Sequence, residues 1–175
     1  MSVLTAPTPH EMRRHMGQFA SGVTVVTGTA ADGSPLGFAC QSFASLSLEP
    51  PLILICVDHG GRSWPQIAPQ GVFTVHVLGA DQGELCERFG SSRGRRFEGL
   101  DWTTSALGTP SLPDVLLRVH ARVHQVVPAG DHDIVIGEVA GLEHDRDANP
   151  MLFFRGRLGM PDHIQVSTET LGWGW

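Results

Sequence analysis

Apolar and polar positions alternate only irregularly along this chain, and the clearest signal is a short unbroken apolar run. Residues 52–57 (LILICV) follow Pro50 and Pro51 and read as a buried strand. Just before them, residues 38–47 set short hydroxyl and amide side chains between small and apolar ones. That half has the composition to line a site, and the apolar run has the composition to support it. Ser42, Ser45 and Ser47 are accordingly either solvated positions of an ordinary strand and its exit loop or donors to the polar parts of a planar ligand.

The other elements follow from similar patterning. Thr8 as cap, Pro9 at the first helical position and Glu11 as the third member of a capping box predict a helix entrance. Met12, Met16, Phe19 and Ala20 then recur at helical spacing, giving a stripe expected to pack on a sheet with the methionines in the core. Residues 23–28 are rich in β-branched side chains and predict the first strand, and a turn at Ala31-Asp32-Gly33 leads to a second over 36–44. After the loop at 58–64 comes a short helical segment ending at Ile67. Residues 72–78 predict a strand, and 81–89 a helix with Asp81 as cap and Leu85, Cys86 and Phe89 on its buried side. Residues 115–127 and 134–142 are β-prone arms around a Pro/Gly/Asp turn, hence a hairpin. A short strand at 151–154 follows, then a weakly β-prone stretch at 164–170. Trp173 and Trp175 are expected at a subunit contact.

The sum is a mainly β domain of six or seven strands and two main helices. Turns rather than crossover helices join most strands, which favours an antiparallel meander. A closed or nearly closed barrel would remove the exposed edges of such a meander.

The chain's 175 residues are enough for one domain with a real core. Twelve basic residues stand against eighteen acidic ones for a formal charge of −6, which argues against a nucleic-acid binder. The one basic cluster, Arg93, Arg95 and Arg96 around Gly94, reads as a solvated loop or as a small anion site. Three cysteines without a CxxC pair predict reduced thiols and no zinc knuckle, with Cys56 as a core filler. No metal site is expected, because His120 and His124 lack a carboxylate or cysteine at compact ligand spacing. The first sixteen residues lack the plan of a secretory signal and the apolar run is too short to span a bilayer, so the expectation is a cytoplasmic protein with no membrane partner. No Gly-x-Gly-x-x-Gly follows a strand.

The string FACQSFASLSLEPP, with SGVTVVTG before it and GDHDIVIGEV and PMLFFRG after it, resembles the short-chain flavin reductase family. Within it, the likeness is greatest to the reductase components of two-component flavin-dependent monooxygenases that serve aromatic-ring and steroid degradation. The resemblance implies an FMN-binding split barrel over residues 12–160, with tails at 1–11 and 161–175, working as a homodimer with flavin near the subunit interface. It implies NADH or NADPH as electron donor, FMN or FAD as acceptor, and reduced flavin diffusing to a separate monooxygenase. It also assigns residues. Cys40, Gln41, Ser42 and Ser45 match the segment that touches the ring system and ribityl chain; Ser63 and Arg96 match the phosphate contacts; His132 matches the histidine over the flavin where nicotinamide stacks. Asp131 would hold that imidazole or turn the backbone. Two departures stand out: Gln41 replaces a frequent asparagine, and a tyrosine common near Leu158 is absent from a chain that contains none. Related split barrels bind flavin, haem or pyridoxal phosphate without reducing flavin, and that is the competing expectation.

Overall fold

The computed structural model describes residues 5–91 and 96–159. The expectations for Arg93 and Arg95, for 164–170 and for Trp173 and Trp175 fall outside them. The capping box forms as its sequence predicts: the Thr8 hydroxyl accepts from Glu11 N–H at 3.3 Å, the Glu11 carboxylate accepts from Thr8 N–H at 2.8 Å, and α1 runs Pro9–Met16. The expected burial of its apolar stripe does not occur. Met12, Met16 and Phe19 are 48%, 59% and 74% exposed, because α1 rests by polar contacts on a distant turn rather than lying across the sheet.

In chain order the next elements are β1 (Ser21–Gly22), β2 (Thr24–Thr29), β3 (Pro35–Cys40), β4 (Ala44–Leu48), β5 (Pro51–Asp58), the short α2 (Trp64–Ile67), β6 (Val72–Val77) and α3 (Gly83–Gly90). There follow β7 (Thr103–Thr104), β8 (Pro110–Ser111), the long hairpin β9 (Leu117–Ala129) and β10 (His132–His144), then β11 (Leu152–Phe154) and β12 (Arg157–Gly159). Seven strands form one sheet in the order β3-β2-β6-β9-β10-β5-β4, every pair antiparallel. β11 lies between β1 and β12 in a separate small sheet. No helix among the described residues is long and apolar enough to cross a membrane.

The predicted strand over 36–44 is in fact two. β3 ends at Cys40, three residues turn, and β4 begins at Ala44 on the opposite edge of the seven-stranded sheet. The hydroxyl of Ser42 ties that corner to β5: it accepts from Cys56 N–H at 2.8 Å and donates to Cys56 O at 3.0 Å. The two edges of the sheet are thereby drawn together at one end, although they are not paired with each other.

Period-two alternation sends successive residues of β2 into different cores. Val26 joins Ile53, Ile55, Phe73 and Val135, while Val23 and Val25 join Leu78, Phe89, Leu112 and Met151 under α3. Both faces of β2 are covered, which is why its sequence lacks a strict polar alternation. His76 on β6 is fully buried, aligned by its Nδ1 with Val25 O at 3.1 Å and accepting from Leu112 N–H at Nε2, also at 3.1 Å. Burial pushes its pKa down to about 3, so it is a neutral peg. Asp81 does not cap α3. Its carboxylate takes both guanidinium nitrogens of Arg146, at 3.0 and 2.6 Å, and the N-cap position belongs to Gln82.

Candidate functional site

Where the corner after β3, the end of β5, the start of α2 and the end of α3 converge, they leave a cavity of about 470 Å³. Its lining includes Cys40, Gln41, Ser42, Ser63, Arg96 and His132, so it gathers six of the seven predicted site residues. The seventh, Ser45, sits on β4 opposite Ile53, exposed and outside this lining.

One end of the cavity is a polar cradle. Ser63 is buried and donates from its hydroxyl to Gly37 O at 3.1 Å. Arg96 donates from Nη1 to the same carbonyl at 2.5 Å and to Ser63 Oγ at 2.6 Å, and from Nη2 to Ser91 O at 3.1 Å. The guanidinium is thus fixed by three of its five donors before any ligand arrives. Burial, and secondly the neighbouring cation Arg62, hold its pKa below the usual arginine value. Two guanidinium groups made to face one small concavity favour an anion there, and arginine forks suit phosphate oxygens. Gly37 is required by the packing: a Cβ there would lie 2.7 Å from the Phe89 ring and 3.0 Å from Val26 O.

Residues 38–42, with Cys56 and Val57 from β5, form a wall of mixed character. Ser42 shows its hydroxyl to the Cys56 backbone and also lies 3.2 Å from Cys40 Sγ, so it is first a fastening of that wall. Burial raises the Cys40 thiol pKa, which keeps it protonated and unsuited to act as a nucleophile. Gln41 lines the cavity at the exposed corner.

The tip of the β9–β10 hairpin supplies the remaining group. His132 lies opposite Asp58 of β5 in register, which carries its half-exposed imidazole to the rim. Its Nδ1 donates to Asp131 Oδ1 at 2.8 Å, and this bond holds the Asp131 carboxyl below the ordinary carboxylate range. A second couple secures the tip: His59 meets Asp133 Oδ1 at 2.9 Å, and His59 N–H donates to Asp131 O at 3.1 Å. With Nδ1 engaged, Nε2 is the ring atom left for the cavity. The arrangement can hold an anionic tail at one end and a planar body along the wall, with a positioned imidazole at the rim.

Sequence reasoning gave no site role to Trp64 of α2, nor to Phe89 and Gly90 at the end of α3, which also line the cavity. The buried face of α3 was legible, but not that its last turn would meet β3. Arg62 lies in the loop at 58–64, and its proximity to Arg96 depends on the tertiary fold.

Comparison with known proteins converges on one group. The model of the flavin reductase like domain matches residues 16–160. The chain is 46% identical over 149 residues to the reductase subunit HsaB of a flavin-dependent monooxygenase from Rhodococcus jostii (strain RHA1), covering 85% of this chain and 76% of that protein. It is 42% identical over 147 residues to the FMN reductase (NADH) SmoA of Agrobacterium fabrum (strain C58 / ATCC 33970), covering 84% and 83%. Among solved structures, the NADH:FAD oxidoreductase SgcE6 of Streptomyces globisporus C-1027, in complex with NAD and FAD fragments, superposes with a TM-score of 0.82 at 32% identity, covering 92% of this chain and 99% of that one.

Proposed function

The chain belongs to the flavin reductase-like family, and from that premise we propose that it is an NAD(P)H:flavin oxidoreductase that hands reduced flavin to a separate monooxygenase. The observation that carries this reading is the cavity itself, with a preformed cationic cradle at one end and a histidine held by a carboxylate at its rim. The residues fit a flavin nucleotide. Ser63 and Arg96 offer a phosphate one short hydroxyl and a charged fork, and the wall from Cys40 to Ser42 offers a mixed surface to the rings.

When bound, the flavin supplies the acceptor for a hydride delivered from the reduced nicotinamide. The protein's part is placement. Arg96 and Ser63 fix the phosphate and with it the ring position; the Ser42 fastening keeps the wall rigid; His132 orients the nicotinamide or stabilises negative charge developing on the ring side. Asp131 sets the tautomer by accepting a hydrogen bond from Nδ1–H, which keeps the proton on that nitrogen. No strong acid or base is needed, which agrees with a rim histidine outside any buried dyad.

FMN is the flavin we assign, since one phosphate satisfies the cradle. The drawing together of the β3 and β4 edges by Ser42 supports a split barrel, and the exposed stripe of α1 with Leu46, Leu48 and Leu142 supports a homodimer. We place the reductase in the cytoplasm, where both nucleotides are at hand. Mixed anaerobically with FMN and NADH, the protein should bleach the oxidised-flavin absorbance, because hydride transfer is complete before oxygen takes part. His132→Ala should slow that bleaching about tenfold or more while changing FMN affinity less than about threefold. Hydride-transfer kinetics unchanged in H132A would remove His132 from the reaction. A wild-type protein inert toward FMN and FAD with both NADH and NADPH would overturn the function and favour a flavin- or haem-binding relative that is not a reductase.

A further inference from the structure

The hairpin that carries His132 outruns the sheet that supports it. β6 pairs with β9 only as far as the Val72–Arg122 pair, with one further bond from Val123 N–H to Gly71 O at 2.9 Å. Residues 125–129 of β9 are exposed and, among the described residues, find ladder partners only on β10. The end of β10 therefore takes its position from its other neighbour, β5, whose pairing with it stops at His132 and Asp58. An imidazole on the last rung of a ladder, backed by an exposed strand, sits where an antiparallel pair opens most easily.

Past that rung the chain supplies one more tie. His59, the first residue after β5, meets Asp133 Oδ1 through Nε2 at 2.9 Å and donates its N–H to Asp131 O at 3.1 Å. These bonds reach the residues on either side of His132, so they bracket it. Three carboxylates crowd this end and each has its own partner: Asp58 accepts from Gly60 N–H at 2.7 Å, Asp131 holds His132, and Asp133 holds His59. The Asp133 side chain is 25% exposed against 93% for Asp131, so water replaces its partner less readily.

The loop that begins with His59 runs on to Arg62 and Ser63 at the phosphate end, and Gly61 N–H donates back to Asp58 O at 2.9 Å to fix its turn. His59 thus stands four residues before Ser63 and in contact with both chain neighbours of His132. Neither His59 nor Asp133 lines the cavity, so their effect on a ligand there is indirect.

We propose that His59 is a positioning residue for hydride transfer: with Asp133 it pins the hairpin tip to the loop of the phosphate cradle and so holds the His132 ring in its place over the cavity. The proposal rests on the reductase function above and on the part given there to His132. It identifies what keeps that ring at a set distance from the phosphate end although its strand is supported on one side only. Without the tie the tip retains its backbone bonds to β5, but the share of ring positions suited to the reaction falls.

The test is single-turnover reduction of bound FMN by NADH, followed anaerobically by loss of the oxidised-flavin absorbance. His59→Ala should slow this step about three- to tenfold at saturating NADH while changing the Kd for FMN less than about twofold. His59→Gln keeps a nitrogen donor for Asp133 and should restore most of the rate. Asp133→Ala should reproduce the loss, and the H59A/D133A double variant should be no slower than either single one. In a His132→Ala background, His59→Ala should slow the step less than about twofold, because the ring it positions is gone. An unchanged rate in H59A overturns the proposal, as does a full further loss on top of H132A. A rate that falls in step with FMN affinity also overturns it, leaving His59 as a support of the cradle alone. If the wild type reduces neither FMN nor FAD with either nucleotide, it is the function that fails. Amide hydrogen exchange then decides the fastening: faster exchange confined to residues 131–134 in H59A sustains it, and unchanged exchange refutes it.

Discussion

Replacing Arg96 by Ala tests the phosphate cradle directly. In the free protein Arg96 spans three acceptors, Gly37 O, Ser63 Oγ and Ser91 O, and so it holds β3, α2 and the end of α3 in one arrangement. In the proposed FMN complex the same guanidinium faces a phosphomonoester. Two charge-assisted bonds at about 1.5–3 kcal/mol each, reduced about twofold for partial solvent exposure, give roughly 1.5–3 kcal/mol. That corresponds to an FMN dissociation constant raised about 12- to 150-fold. Riboflavin has no phosphate to lose, so its affinity should change less than about threefold, and Arg96→Lys should fall between because it keeps the charge without the fork. Fluorescence titration of wild type and both variants with FMN and riboflavin supplies the comparison. Thermal melts of the three proteins guard against a folding artefact. Equal weakening of both ligands would refute the phosphate role and leave Arg96 as a structural tie alone.

Two further outcomes follow from buried contacts. Ser42→Ala strips the Cys56 N–H and C=O of their shared partner; a loss of about 1–3 kcal/mol should lower Tm by about 3–8 °C, and an unchanged Tm would show that water replaces the hydroxyl at no cost. His76 has a folded pKa near 3, below the ordinary histidine value of about 6.5 in the unfolded chain. The unfolded state therefore binds the extra proton, so this residue's effect is absent above pH 6.5 and costs about 2 kcal/mol by pH 5. His76→Gln should flatten the acid side of the stability profile measured by urea unfolding at pH 5–7.5, and parallel wild-type and variant profiles would count against a neutral buried imidazole.

What could be read from the chain tracks how local its cause was. The capping box at Thr8 and Glu11, the buried β5 and the β9–β10 hairpin each rest on neighbouring residues and formed as expected. The break after Cys40 was hidden, because 36–44 is β-prone throughout and nothing in that composition says that one half pairs with β2 and the other with β5. The α1 stripe misled for the converse reason: helical periodicity identifies an apolar face but not what that face meets. Asp81 looked like a cap until Arg146, 65 residues away, claimed its carboxylate. The cradle needed Gly37, Ser63 and Arg96 together, and only the resemblance to a known family linked Ser63 with Arg96 before the fold did.

The corner at residues 41–43 shows why the site lies where it does. An antiparallel sheet uses its backbone donors and acceptors in ladders, so a strand in mid-sheet has little left for a ligand. Between the end of β3 and the start of β4 no ladder pairing is made, and the backbone there is released from that demand. Such a gap would ordinarily weaken the sheet. Here the ladder between β4 and β5 stops at the Ala44–Leu54 pair, and two residues further along β5 the Ser42 hydroxyl takes both polar groups of Cys56, as a paired strand would. A side chain thus stands in for a strand, tying the corner to β5 at the place where the corner's own backbone is free of ladder pairing. The same three-residue turn therefore links the two edge strands of the sheet, and its Gln41 and Ser42 wall the cavity in which the flavin is proposed to bind.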